Sequence, residues 1–141
     1  MEDLIESVTR GNPTEVKVVL ASAALALAVY QLVLIAVGYR RLRPPFLGPA
    51  VASRAHRAVG DAIVVVLIVV ATMCVGMFGF EGDAGLHVAA AVALLVVLAV
   101  KVAIVRWWQA LGRLLPPLGV AVWLLLALTW LTSAGDFLSG S

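Results

Sequence analysis

In this chain of 141 residues, 63% are hydrophobic and only 13% charged, too few polar groups to cover a water-facing surface, so its solvent is lipid. The length excludes a separate second domain. A net charge of +2 with no Lys/Arg cluster interleaved with aromatics excludes a nucleic-acid surface. A single cysteine, Cys74, excludes an intrachain disulfide.

Residues 2–9 set Leu4, Ile5 and Val8 at helical spacing between Glu2, Asp3 and Glu6, a pattern for a short interfacial helix or a frayed tail. Asn12-Pro13-Thr14-Glu15 then reads as N-cap, Pro at N1 and Glu at N3, so a helix is expected from near Pro13. Four apolar runs follow, over about 16–37, 58–79, 86–105 and 118–133, each near the ~20 residues that a helix needs to cross a bilayer. The first is too long, and its leader MEDLIES too acidic, for a cleaved signal peptide. Pro44-Pro45 and Pro116-Pro117 punctuate the first and third connections. The Gly-rich FGFEGDAG between runs two and three predicts a tight turn with antiparallel neighbours. Ala24 with Ala28, and Ala89 with Ala93, have the small-xxx-small spacing that lets helices approach closely.

Threading follows from charge. Arg40, Arg41, Arg43, Arg54 and Arg57 flank the first connection, and Lys101, Arg106 and Arg113 the third. Only Arg10 and Lys17 lie on the opposite side. This bias puts both basic connections in the cytoplasm and both termini, including the short segment 1–12, outside. Trp107 and Trp108 then fall at the cytoplasmic interface and Trp130 near the outer one. The expected fold is therefore all-α: one domain, a polytopic four-helix antiparallel bundle, N-out and C-out. Its expected location is the bacterial inner membrane, as a multi-pass protein of the cell membrane. The expected partners are the lipid bilayer and either further copies of the chain or a larger membrane complex.

Ionisable groups inside spans are costly and call for partners or functions. At 100° per residue, Ser53, His56, Arg57, Gly60 and Asp61 share a stripe at the start of the second helix. His87 and Lys101 share a face of the third helix, roughly 21 Å apart along its axis. Depth pairs Asp61 with Lys101, or with Arg57 one turn earlier. The plainest reading is an interhelical ion pair that fixes packing, with Arg57 snorkelling to the headgroups. His56 and His87 fall at opposite depths, too far apart to hold one haem iron within a chain. Haem would need a parallel dimer or a His87–Met77 pair. Met73, Cys74, Met77 and His87 suit Cu(I) chemically, but the wheel turns both methionines away from the His56 stripe. Thr129, Thr132 and Ser133 have no His or Asp partner within sequence reach, and hydroxyls in spans usually bond their own carbonyls.

Two resemblances add to this. Ser53-x-x-His56-Arg57-x-x-Gly60 resembles the stretch opening the first span of succinate dehydrogenase cytochrome b anchor subunits. In that family the serine and arginine line the quinone site and the histidine lies near the haem propionates. Lys101-Val-Ala-Ile-Val-Arg106 is similar to that family's later span, but Lys101 stands where the haem-ligand histidine would be. The order AHR-x-x-G, MC-x-x-x-FGF, LH, K-V-x-x-VR, LP-x-x-G and W-L-T-S-A resembles a family of small four-span, mainly actinobacterial membrane proteins of unknown function. The second resemblance supports four spans and names no activity; the first, with the coincident polar stripes on two helices, implies a small subunit of a membrane redox or respiratory system rather than an enzyme on its own. It would contact quinone, and haem b, through Ser53, His56, Arg57, Asp61, Lys101 and His87. Arg57 and Ser53 would donate to the quinone and His56 would carry a proton. The alternatives are a non-redox structural or assembly subunit and a small-solute or proton transporter.

Overall fold

The computed structural model describes residues 3, 7, 10, 12–78 and 85–140, the side chains of 78 and 134–138 excepted. The expected interfacial helix at 2–9 and the FGFEGDAG turn lie mostly outside the described residues. Every regular element among the described residues is helical: α1 (Pro13–Gly38), α2 (Pro49–Phe78), α3 (Gly85–Arg106), a 3₁₀ segment (Gln109–Leu114) and α4 (Leu115–Ser139). Four of these helices are long and apolar enough to cross a membrane.

The helix boundaries follow local chemistry. Pro13 occupies the first turn of α1, where a missing N–H costs nothing. Asn12 precedes it without a side-chain cap; only its carbonyl is used, by the Val16 N–H at 3.2 Å. At the far end the Arg41 N–H donates to Ala36 O at 2.8 Å and the Arg40 N–H to Val37 O at 2.9 Å. This is a Schellman ending, with Arg40 at φ 58 in the left-handed position that glycine usually fills. Helix α2 starts nine residues before the expected 58: Pro49 opens it, and the Ala52 N–H donates to Gly48 O at 2.9 Å. A hydropathy window stops where the arginines begin, whereas helix formation continues through them. The 30 residues of α2 make a rod of about 45 Å. In α4, Pro116 and Pro117 sit within the first turn, so the pair starts a helix rather than breaking one.

The helices assemble as two hairpins. α1 packs along α2 and α3 along α4, and the hairpins join chiefly through α1 against α4. Between α2 and α3, expected as close neighbours from their short turn, the backbones scarcely approach within 8 Å. The residues these two helices turn inward are bulky (Ile63 and Leu67 against Leu94 and Leu98), whereas α1 contributes Ala24 and Ala28. Small side chains let α1 sit close to its neighbours. Together with Val122 and Leu126, these residues form one apolar core to which all four helices contribute. The Ala24/Ala28 pair is buried there; on α3 the buried line is Ala90, Leu94 and Leu98, so Ala89 and Ala93 are not the contact pair.

Candidate functional site

The inward line of α2 runs through Ala52, His56, Val59, Ile63 and Leu67. The expected stripe therefore divides. His56 and Gly60 are half-buried, while Ser53, Arg57 and Asp61 are exposed. Met73, turned away from the His56 stripe on the wheel, is only 8% exposed and belongs to the interior. The wheel gave the right relative angles, but its assumed inward direction was off by about one residue.

Asp61 pairs with neither Lys101 nor Arg57. Its Oδ1 lies 3.6 Å from Arg106 Nη2, with the two side chains 73% and 61% exposed. Lys101 sits on the inward face of α3 and is half-buried, so the longer, more exposed arginine one and a half turns on reaches the aspartate instead. An exposed pair of this kind contributes little, about 0–1 kcal/mol, and marks an interface rather than a buried centre.

Of the residues with buried polar atoms, His56 was expected from the sequence, whereas Gln31 and Trp123 were not. Gln31, 8% exposed two turns before the end of α1, donates its Nε2 hydrogen to the His56 carbonyl at 2.9 Å. Gly60 leaves the room for it: a Cβ there would stand 3.2 Å from Gln31 Nε2. Among the described residues, three buried side-chain atoms have no hydrogen-bond partner: Gln31 Oε1, His56 Nδ1 and Trp123 Nε1. The Trp130 Nε1–H donates to Ser22 Oγ at 2.9 Å, which fixes α4 against α1. From that anchor Trp123 lies seven residues back along α4 and Gln31 nine residues on along α1. They are thus within about 3 Å of one level. Lys101 is in electrostatic reach of His56. Each helix therefore supplies one polar group to the arginine-rich end of the bundle: an acceptor on α1, an imidazole on α2, a cation on α3 and an indole N–H on α4.

His87 belongs to a different level. Its Nδ1 lies 3.0 Å from Thr132 Oγ1, a hydroxyl that also lies 2.9 Å from Leu128 O on its own helix. Thr132 thus has a histidine partner that sequence distance concealed, 45 positions away. Thr129 behaves as expected, donating to Leu125 O on its own helix. Lys17 of α1 lies in electrostatic reach of both His87 and Cys74. The apolar core separates this group from His56, so the two histidines do not fit one haem as an axial pair. No cluster of three or more His, Cys, Asp or Glu among the described residues suits a metal ion.

Gln31 and Trp123 were the residues that sequence reasoning missed. Gln31 did carry a signal, being the one amide within the first apolar run. Trp123 carried none, since an indole in a span reads equally well as packing.

Fold and site together define a multi-pass, membrane-spanning type of α-helical bundle with a polar layer at its basic end. The chain belongs to a family of unknown function, DUF6529, whose model matches residues 5–141. No curated protein and no solved structure matches it.

Proposed function

We propose that this protein is a small inner-membrane subunit of a redox system that holds a quinone head-group in the polar layer of its basic end. The reading takes that end as cytoplasmic and both termini as extracytoplasmic, following the positive-inside bias. One observation carries it: among the described residues Trp123 Nε1, an obligate donor, and Gln31 Oε1, an obligate acceptor, are both buried without a hydrogen-bond partner, on turns of α4 and α1 that helix rise puts near one level. A buried polar atom left unpaired costs on the order of 1–3 kcal/mol. A group able both to accept and to donate at that level removes the cost at both atoms. The carbonyl of a quinone accepts from Trp123, and the hydroxyl of the quinol also donates to Gln31. His56 Nδ1 and the Lys101 ammonium supply further polar contacts to the same head-group. Ser53 and Arg57, exposed on the same turns of α2, are donors at the entrance, and Asp61 with Arg106 borders it. His87 takes no part in this site.

Haem b has no place in this reading, because Lys101 stands where the resembling family has its ligand and the two histidines are at separate levels. Against the transporter alternative stands the apolar core of Ile63, Leu67, Leu94, Leu98, Val122 and Leu126, which among the described residues lies between the polar groups of the two ends. The test is solvent extraction of the protein purified in mild detergent, with quinone quantified per chain. The wild type should carry quinone, and Trp123→Phe combined with Lys101→Met should lower the yield about tenfold, the loss of roughly one net hydrogen bond. A wild type with no quinone, or a double variant that retains it in full, would leave the purely structural role.

A further inference from the structure

Arginine at a left-handed position is a puzzle in elementary terms. Glycine adopts φ 58 without cost, whereas a residue with a Cβ pays for it. Arg40 nevertheless ends α1, and its side chain opens onto the surface between α1 and α2. Two adjoining clefts meet there. They share Leu42 and Arg43; one takes in Arg40, and the other, of about 520 Å³, takes in Tyr30, Val33 and Phe46. Phe46 is 86% exposed, and Tyr30 and Val33 are exposed on the outward side of α1. The surface thus has two chemistries in sequence. Guanidinium groups stand at the helix end, and an apolar wall descends from them along the span.

We infer that this cleft binds an anionic phospholipid, its phosphate between Arg40 and Arg43 and an acyl chain along Tyr30, Val33 and Phe46. Charge complementarity selects the occupant. The groove is cationic beside the end of α1 and apolar along the helix toward Tyr30, which matches a phosphodiester joined to hydrocarbon better than a soluble anion or a polypeptide helix. Arginine presents a planar fork of donors to phosphate oxygens, which a lysine does not. The strained backbone at Arg40 fits the same account: a side chain is kept at a position where glycine would relax the chain. This inference is independent of the quinone reading, since none of the cleft residues belongs to the polar layer.

The test uses the full-length protein, delipidated in a non-ionic detergent and titrated with phosphatidylglycerol or phosphatidylcholine while bound lipid is counted by native mass spectrometry. The wild type should prefer phosphatidylglycerol, and Arg40→Gly with Arg43→Gln should weaken that binding about 30-fold, at roughly a tenfold-or-less contribution per arginine. Arg40→Gly relieves the strained turn, so thermal stability should hold or rise while lipid is lost; that separates a lost site from a lost fold. Arg54→Gln and Arg113→Gln, exposed cations outside the cleft, should leave the preference intact. Glycerophosphoglycerol, the headgroup without chains, should not compete. Equal binding of the two lipids by the wild type would overturn the inference. So would equal losses on removing cleft and non-cleft arginines, or full competition by the chainless headgroup.

Discussion

Gly60 and Gly119 are both glycines inside helices, and their surroundings give them opposite roles. At Gly60 an added Cβ meets Gln31 Nε2 at 3.2 Å, whereas at Gly119 nothing lies within 4 Å. Alanine at Gly119 should therefore gain its ordinary helical advantage of about 0.5–1 kcal/mol. At Gly60 that same gain is opposed by displacing the amide that bonds the His56 carbonyl. Thermal unfolding in detergent should show Gly119→Ala raising the midpoint and Gly60→Ala failing to. Gly60→Leu should be clearly destabilising, in the range of about 1–3 kcal/mol typical of overpacking. Equal effects of alanine at both positions would mean that the Gln31 contact has no energetic weight. This is also the scale at which sequence was least informative. His56 and Lys101 could be singled out as polar groups in spans, but burial decides which atoms go unpartnered. Nothing in the order of residues says that Ser53 and Arg57 face out while Gln31 and Trp123 face in.

Between helices, the useful contrast is between an ion pair and an alanine. The Asp61–Arg106 pair is the more conspicuous feature, yet its exposure limits it to about 0–1 kcal/mol. Ala24 has no charge and no hydrogen bond, but it is 0% exposed where α1 meets the common core. Asp61→Asn should leave the unfolding midpoint nearly unchanged, while Ala24→Leu should cost about 1–3 kcal/mol and loosen the α1 contacts. The reverse order would put the electrostatic pair, not close packing, in charge of assembly. The four helices themselves were legible because a span must satisfy its backbone internally and remain apolar for about 20 residues, which leaves a strong trace in sequence. Their pairing was less legible. A short turn brings two helix ends together, but side-chain bulk decides whether the helices stay in contact, and bulky inward residues keep α2 and α3 apart. The start of α2 was also displaced, because a helix can run on through arginines that hydropathy counts as its end.

For the whole molecule, the distribution of charge is the feature with the widest reach. Eight of the ten Lys and Arg residues lie at or near one end of the bundle, and the resulting bias should hold both connections in the cytoplasm. In a Cys74→Ser background, a single cysteine at Ser7 should react with an impermeant maleimide on intact cells, and one at Ala110 only after permeabilisation. The opposite pattern would invert the protein and move the polar layer to the outer face. Labelling at Ala110 also bears on the quinone reading, because it tells on which side the head-group meets its aqueous reactants.

The length of α2 has a further consequence. A rod of about 45 Å in a hydrocarbon layer of about 30 Å must lean or stand proud of it. Thicker bilayers accommodate such a helix nearer to upright, and thinner ones increase its lean or its overhang. Its first turns carry Arg54, His56 and Arg57, so membrane thickness sets how deeply those residues ride among the headgroups. A chain inserted as its four apolar helices predict should therefore take different poses in membranes of different thickness.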